Sequence, residues 1–145
     1  MHEKNVWHRD VTPGNILLAD DGTLKFIDFG ISKLAELNLQ QKHTKNVVTR
    51  NYRAPEIFFG DNKYNGEALD VWSAGCIFAE LLINQVIFPG SSDIDQLCKI
   101  FDVCGTPSEE DWPEVVNLPN YLPFNETPPT DLSEVIGNFR KPTEQ

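Results

Sequence analysis

Three side chains near the start of the chain carry oxygen atoms suited to proton and metal chemistry. Asp10 follows His8 and Arg9, Asn15 stands five residues after Asp10, and Asp28 opens an Asp-Phe-Gly triplet. A carboxylate can take the proton of a hydroxyl group, and carboxylate and amide oxygens are suitable ligands for magnesium. The types and the spacing of these residues make them the first candidates for an active site.

A short β-hairpin is predicted between Asn15 and Asp28. Two apolar runs, residues 16–18 and 24–27, flank an acidic glycine-containing stretch at residues 20–22, which is typical of a tight turn. In such a hairpin Asn15 precedes the first strand and Asp28 follows the second, so both lie at the end opposite the turn. The two oxygen-bearing side chains are therefore expected to lie close together.

Helices are predicted to supply most of the remaining structure. Residues 69–83 are apolar on almost every side, which is typical of a helix in the middle of a core. A second helix is predicted over about residues 92–105, with Ser or Asp as its N-cap and glycine at its end. A short helix is predicted to begin at Pro55, and the polar residues 31–53 before it are interpreted as a long loop. The predicted fold class is mainly α with a small β-hairpin.

The chain is predicted to divide near residue 125. Residues 1–125 hold the elements described above, and residues 1–7 are interpreted as the end of a helix. Residues 126–145 are interpreted as an irregular tail with one short helix near residues 132–136.

Composition and cysteine usage limit the class of protein. A net charge of −10 and a pI near 4.6 argue against a nucleic acid or an anionic membrane as a partner. Cys76, Cys98 and Cys104 lack metal-site spacing, and apolar helical patterns around the first two predict buried free thiols in a reducing compartment. We find no signal peptide and no apolar run of membrane length, so we expect an intracellular protein of the nucleus or the cytoplasm.

Ordered motifs along residues 1 to about 125 resemble the C-lobe of a eukaryotic protein kinase. These motifs are His8-Arg9-Asp10-Val11-Thr12-Pro13-Gly14-Asn15, Asp28-Phe29-Gly30, Tyr52-Arg53-Ala54-Pro55-Glu56 and Asp70-Val71-Trp72-Ser73-Ala74-Gly75. The stretches at residues 88–90, 93–97, 105–107 and 112–113 are similar to the cyclin-dependent kinases in particular. Residues 47–50 are similar to the transcriptional and kinase-activating branch of that family. The resemblance therefore implies a partial C-lobe of the kinase fold.

The resemblance implies that residues 8–15 are a catalytic loop and gives roles to its residues. Asp10 would orient the acceptor hydroxyl and take its proton, while Asn15 and Asp28 would bind the Mg²⁺ ions that neutralise the β- and γ-phosphates of ATP. Thr12 stands where the family has a lysine that contacts the γ-phosphate. Leu17 stands at the floor of the adenine pocket, although an ordinary core position in a strand remains an open alternative.

Regulation is also implied by the resemblance. Thr44 aligns with the activation-loop threonine that cyclin-dependent kinases carry as a phosphate, and Arg9 and Lys33 match two of the three cationic positions that receive it. Residues 93–97 resemble the surface on which small regulatory subunits dock, or they are simply an acidic, capped helix start. The implied partners are protein substrates, a cyclin and a small docking subunit.

The resemblance also implies a substrate pocket. Thr49 matches the threonine that braces the catalytic loop. Val47, Val48 and Arg53 match the pocket that favours proline after the phosphorylated Ser or Thr. The implied activity is transfer of the γ-phosphate of ATP to Ser or Thr followed by proline.

The sequence departs from the family in ways that leave two function classes open. The glycine-rich loop, the strand lysine and the helical glutamate of the family are absent from the 145 residues, as are the last helices of the C-lobe. Glu56 would then lack its buried arginine partner, and one flank of the helix at residues 69–83 would be exposed. We expect either an incomplete kinase that is inactive alone, or a catalytically dead binding protein that engages cyclins, docking subunits or substrates.

Overall fold

A computed structural model describes residues 1–35 and 48–140, with side chains up to residue 137. In chain order, the elements are β1 (Val6–Trp7), β2 (Ile16–Leu18), β3 (Leu24–Phe26), β4 (Lys33–Leu34), α1 (Pro55–Phe58), α2 (Gly66–Ile83), α3 (Asp93–Cys104) and α4 (Leu132–Arg140). Short 3-10 turns occupy His2–Lys4, Pro13–Asn15, Arg50–Tyr52 and Val115–Asn117. The described part is rich in helix with small β-sheets, as the sequence predicts. Thr44 and Val47 lie outside the described residues.

The predicted β-hairpin is confirmed. Strands β2 and β3 pair antiparallel, and the turn is closed by a 2.9 Å hydrogen bond from Gly22 N to the carbonyl oxygen of Ala19. Gly22 has φ +81°, a conformation that glycine adopts without steric cost. Beyond the strands, Ile27 N donates to the carbonyl oxygen of Asn15 at 3.0 Å. This bond places Asn15 and Asp28 at the same end of the hairpin.

The interpretation of residues 1–7 as the end of an α-helix is wrong. Residues His2–Lys4 make a single 3-10 turn, which ends because Asn5 takes the left-handed conformation with φ +54°. The chain then forms strand β1, in which Trp7 lies opposite Lys33 of β4. This second two-stranded sheet adds to the one hairpin that the sequence predicts, because its partner strand lies in the segment interpreted as a loop.

The core lies between helices α1, α2 and α3 and the segment that follows α3. Phe59 is completely buried, and its ring lies 5.6 to 6.3 Å from the rings of Phe101, Trp112, Tyr121 and Phe124. Burial of several aromatic rings removes a large apolar area from water and is the main stabilising contribution here. Helix α3 begins at its predicted N-cap, because the Ser92 hydroxyl accepts a hydrogen bond from the backbone of the first turn.

Helix α2 is less buried than its sequence alone predicts. Leu69 on one face is 1% exposed, whereas Val71, Phe78 and Leu81 on the other face are 61%, 64% and 76% exposed to solvent. Within the described residues, nothing covers this second face. This outcome agrees with the expectation that one flank of the helix is left without neighbours.

The tail and the cysteines differ from the predictions. Helix α4 is longer than the short helix predicted in the tail, and Val135 within it is buried where α4 packs against α2. Cys76 is buried as predicted, but Cys98 and Cys104 are exposed. Cys98 lies on the outward face of α3, whose inward positions Leu97 and Ile100 fill the core. In the described part of the chain, every helix is too short or too polar to cross a bilayer.

Candidate active site

The catalytic loop is held in place by one buried carboxylate from α2. Asp70 is 3% exposed, and its two oxygens accept the backbone N–H groups of His8 at 2.8 Å and Arg9 at 2.7 Å. The ring of His2 also lies 2.8 Å from Asp70 through Nε2. Hydrogen bonds to a buried charge are stronger than neutral ones, so Asp70 fixes the backbone just before Asp10. Sequence reasoning missed His2, because no local pattern connects it with a residue so far along the chain.

His8 packs as a structural residue. It is completely buried, its Nε2 lies 2.9 Å from the carbonyl oxygen of Ile27, and its ring meets the edge of Phe29 at 4.8 Å between centroids. These contacts tie the catalytic loop to the segment that carries Asp28.

Asp10 is oriented by two other predicted residues. Its Oδ1 accepts hydrogen bonds from the backbone N–H and the hydroxyl of Thr49, both at 3.0 Å. Asn15 Nδ2 donates to the backbone carbonyl of Asp10 at 2.9 Å and to its Oδ2 at 3.2 Å. The structure therefore brings Asp10, Asn15 and Thr49 together.

Asn15 and Asp28 carry side-chain oxygens that could hold a magnesium ion. Asn15 uses its Nδ2 toward Asp10, and no described residue donates to its Oδ1. Asp28 is exposed with φ +59°, and one of its oxygens accepts Gly30 N at 3.2 Å. Among the described residues, no group of three or more His, Cys, Asp or Glu side chains gathers around a common point. Two such side chains would leave the other ligand positions of a magnesium ion to phosphates and water.

Thr12 and Leu17 occupy different environments. Thr12 is 8% exposed, and its hydroxyl makes no hydrogen bond with a described residue. Leu17 is 51% exposed on the hairpin, so it is not a core residue of the described part. The alternative that Leu17 is an ordinary core residue of a strand is therefore wrong for the described part. The contact of Leu17 with a nucleotide stays a prediction.

The two predicted cationic residues also lie near each other. Arg9, with φ +64°, donates through Nη1 to the hydroxyl of Tyr64 at 3.0 Å and through Nε and Nη2 to the carbonyl oxygen of Ile31. Burial, and then the charge of Arg9, lower the pKa of Lys33. Thr44, the residue that they are predicted to bind when it is phosphorylated, lies outside the described residues.

Val48 and Arg53 form the described part of the predicted substrate pocket. Val48 is 5% exposed and takes φ +68°, which is unusual for a β-branched residue. Its carbonyl oxygen accepts two hydrogen bonds from the Arg53 guanidinium, from Nε at 3.1 Å and from Nη2 at 2.9 Å. The same guanidinium lies 5.1 Å from the ring centroid of Phe58. The Val48 carbonyl is therefore occupied from within the protein.

Among the described residues, no lysine, arginine or histidine side chain pairs with Glu56. Burial, and to a lesser degree the nearby Asp61, raise the pKa of its carboxyl group. It lines an open cleft of about 350 Å³ together with Trp72, whose Nε1 is buried without a hydrogen-bond partner in the described part. Among the described residues, a carboxylate without a cation and a buried donor without an acceptor reduce stability at this cleft.

The acidic start of α3 is engaged inside the protein. Asp93 accepts a hydrogen bond from Arg50 Nε at 3.2 Å, and Asp95 accepts the backbone N–H and the hydroxyl of Ser91 at 2.7 and 2.9 Å. These contacts confirm the interpretation of an acidic, capped helix start. The docking surface at residues 93–97 stays a prediction.

The motifs described above lie within a stretch of sequence that matches one protein family. The sequence matches the protein kinase domain family over residues 1–139. The chain belongs to the protein kinase family. The resemblance inferred from the catalytic loop and the following motifs is thereby confirmed.

Curated relatives give this kinase a narrower resemblance. It is 44% identical to cyclin-dependent kinase 20 of Danio rerio, over 93% of this chain and 40% of that protein. It is 45% identical to cyclin-dependent kinase D-1 of Arabidopsis thaliana, over 93% of this chain and 33% of that protein. It is 49% identical to cyclin-dependent kinase D-1 of Oryza sativa subsp. indica, over 85% of this chain and 28% of that protein. The chain therefore spans less than half of the length of these relatives, and the similarity supports a Ser/Thr kinase of the cyclin-dependent kinase type.

Proposed function

We propose that this chain is the catalytic-loop and substrate-binding part of a cyclin-dependent-kinase-like enzyme that phosphorylates Ser or Thr followed by proline. The observation that carries the proposal is the Val48 carbonyl, which already accepts two hydrogen bonds from Arg53. The position of Asp10, held by Thr49 and Asn15, supports it. The assignment to the C-lobe of the kinase fold belongs to the same proposal.

The chemistry centres on Asp10. A Ser or Thr hydroxyl placed against its carboxylate would be oriented for attack and would give up its proton there. Asn15 Oδ1 and Asp28 would hold magnesium, which supplies neutralisation of the phosphate charges of ATP. Thr49, by fixing one oxygen of Asp10, limits the directions from which a hydroxyl can approach.

The preference for proline follows from backbone hydrogen bonding at Val48. A peptide residue other than proline brings an N–H group that needs an acceptor, and proline brings none. Because Arg53 occupies the Val48 carbonyl, an N–H placed there would stay unpaired, which costs roughly 1–3 kcal/mol.

Matched peptides test this function in a fusion of the chain with the nucleotide-binding lobe of a related kinase, the part of the kinase fold that carries the glycine-rich loop and the strand lysine. We expect kcat/KM for a Ser-Pro peptide to exceed that for a Ser-Ala peptide by about tenfold or more, the equivalent of about 1.4 kcal/mol. Changing Arg53→Gln should reduce this ratio, and Lys99→Gln on the exposed side of α3 should not. Equal rates for both peptides in the unchanged enzyme would contradict the proposal. For the 145-residue chain alone we propose no phosphate transfer, since the glycine-rich loop and the strand lysine are not among its residues.

A kinase-like binding protein is the second candidate. It is favoured by the apolar face of α2, where Val71, Phe78 and Leu81 are exposed within the described part, and by Thr12 in place of a lysine. In this case a cyclin, a small docking subunit or a substrate would be bound without phosphate transfer, inside the cell. This candidate would be favoured over the enzyme if the protein binds peptides but no variant transfers phosphate, even when a nucleotide-binding lobe is present.

A further inference from the structure

Two arginine side chains beside the proposed proline pocket share one carboxylate. Arg50 Nε lies 3.2 Å from Asp93 Oδ1, and Arg53 Nη1 lies 3.9 Å from the same oxygen. Arg50 Nη1 also donates to the carbonyl oxygen of Ser91 at 3.0 Å. We call Arg50, Arg53 and Asp93 the arginine clamp. It joins the segment that carries Val48 to the start of α3.

The start of α3 does not depend on Asp93 for its own structure. The Ser92 hydroxyl accepts Asp95 N at 3.2 Å, and Asp95 in turn accepts the backbone N–H of Ser91 at 2.7 Å. Gln96 Oε1 accepts Gly90 N at 2.9 Å. These contacts hold the residues before α3 against the helix. The side chain of Asp93 is therefore left to act on the two arginines.

The charges explain why the clamp needs an anion. The Arg53 side chain is 17% exposed, and burial and the neighbouring Arg50 lower its pKa, while Asp93 and Asp10 oppose this effect. Arg53 must stay charged and in place to donate both hydrogen bonds to the Val48 carbonyl. Without Asp93, the repulsion between the two guanidinium groups would be uncompensated on that side of the pocket.

We propose that Asp93 is a positioning residue for substrate specificity, because it holds Arg53 on the carbonyl oxygen of Val48. With Arg53 in place, Val48 stays in its left-handed conformation and its carbonyl offers no acceptor to a peptide N–H. When Asp93 is neutralised, Arg53 releases the carbonyl more often, and peptides without proline gain an acceptor. The substrate class in this inference rests on the proposed function, whereas the effect of Asp93 on Arg53 does not.

The first test reads the clamp itself by NMR on the 145-residue chain. The exchange rate of the Arg53 Nε–H with solvent is measured in the unchanged chain and in Asp93→Asn, Asp93→Glu and Asp102→Asn, with Arg53→Lys to assign the signal. Asp102 is an exposed residue farther along α3 and serves as the charge-matched control. Since the Asp93 carboxylate is largely exposed, we expect exchange to be about two- to fivefold faster in Asp93→Asn. Asp93→Glu should restore most of the protection, and Asp102→Asn should leave it unchanged. An unprotected Nε–H in the unchanged chain, or equal acceleration by Asp102→Asn, would overturn the proposal.

The second test measures the preference for proline in the fusion with a nucleotide-binding lobe. Asp93→Asn should lower the ratio of kcat/KM for Ser-Pro over Ser-Ala peptides by about two- to fivefold, through faster use of the Ser-Ala peptide. Asp93→Glu should retain the ratio, and Asp102→Asn serves as the charge-matched control. If the NMR effect is present but the unchanged enzyme does not distinguish the peptides, the proposed function fails and the clamp stands. If the enzyme prefers proline and Asp93→Asn leaves the ratio unchanged, the role of Asp93 in specificity is wrong.

Discussion

Thr49 donates both its backbone N–H and its hydroxyl to the same oxygen of Asp10, each at 3.0 Å. The two residues belong to separate segments of the chain, so this double hydrogen bond ties the segment before α1 to the catalytic loop. Asn15 Nδ2 donates a hydrogen bond to the other oxygen of Asp10 at 3.2 Å. The carboxylate is therefore oriented before any substrate is present, which reduces the entropy that ordering it would cost later.

The hydroxyl of Thr49 is expected to contribute to stability as well as to orientation. In Thr49→Ala the backbone donor remains and the hydroxyl donor is lost, so the free energy of unfolding should fall by roughly 0.5–1.5 kcal/mol. Urea unfolding of the 145-residue chain measures this change. Thr49→Ser should retain most of the stability. If Ser is as destabilising as Ala, the methyl group rather than the hydroxyl is responsible.

The same geometry predicts which threonine an activating kinase modifies. The hydroxyl of Thr49 is engaged with Asp10, so we expect phosphate at Thr44 in preference to Thr49. A phosphate at Thr44 would be received by Arg9 and Lys33 through roughly one to three charge-assisted hydrogen bonds. Mass spectrometry after treatment with a kinase that activates cyclin-dependent kinases locates the site. Phosphate mainly on Thr49 would show that the hydrogen bond to Asp10 does not protect it.

Asp70 is expected to be among the most sensitive positions for folding. Asp70→Ala would leave the buried backbone N–H groups of His8 and Arg9 without an acceptor, at roughly 1–3 kcal/mol each. We expect a loss of more than about 3 kcal/mol in the free energy of unfolding, enough to unfold a marginally stable chain. Asp70→Asn should cost less, since one oxygen can still accept. Glu67→Gln is a suitable control, because Glu67 is exposed and lies 3.7 Å from His2; a comparable loss there would mean that general charge effects dominate.

Glu56 predicts a dependence of stability on pH. Its pKa is raised in the fold above the ordinary value of 4.5, so the native state binds the proton more tightly than the unfolded state. The stability contributed by the protonated carboxyl is fully present below that ordinary value and is lost as pH rises through the raised pKa. Glu56→Gln should therefore raise the free energy of unfolding by on the order of 1 kcal/mol at neutral pH and by almost nothing below about pH 4. Chemical unfolding at both pH values measures this difference, and exposed Glu109→Gln should show none. A gain for Glu56→Gln that is equal at both pH values would exclude titration of Glu56 as the cause.

Local patterns in the sequence predict the β2–β3 hairpin and the helices, but not strands β1 and β4 or the residue pairs that hold the site. The hairpin of β2 and β3 and the N-cap of α3 follow from turn and capping residues close together in the chain. The contacts of Asp70 with His8 and of Asp93 with Arg50 join residues that only the fold brings together. Thr49 was found because a whole motif resembles a family, not because of its own surroundings. Pairing between distant polar residues has no period or spacing that sequence reasoning can detect.

The sequence predicts where a helix forms better than it predicts which of its side chains are buried, as α2 and Cys98 show. The apolar sequence of α2 predicted a helix correctly, and the exposed Phe78 and Leu81 follow from the absence of covering elements in the described part. Cys98 was predicted to be buried because its neighbours are apolar, but a helix position one step from Leu97 faces another direction. The face of a residue is decided by its angle around the helix, and an average over neighbours hides that angle.

The last prediction concerns Thr12, which stands in the place of a family lysine. Thr12 is 8% exposed, and its hydroxyl makes no hydrogen bond with a described residue, so Thr12→Ala should change little. A lysine at this position could extend its long side chain out of the loop and place an ammonium group near the γ-phosphate. In a form of the protein with a nucleotide-binding lobe, Thr12→Lys should raise kcat by at least about tenfold with little change in KM for ATP, since such a charge acts mainly on the transition state.

Steady-state kinetics with Asp10→Asn as a second variant makes the result decisive. If Thr12→Lys leaves kcat unchanged but Asp10→Asn lowers it, another cation already fills the role of the lysine. If neither variant changes a background rate, the site does not catalyse phosphate transfer, and the binding function is favoured. If Thr12→Lys raises kcat only when Asp10 is intact, the two residues act on the same transition state. Asp10 would then act on the hydroxyl group, and the lysine at position 12 would act on the phosphate.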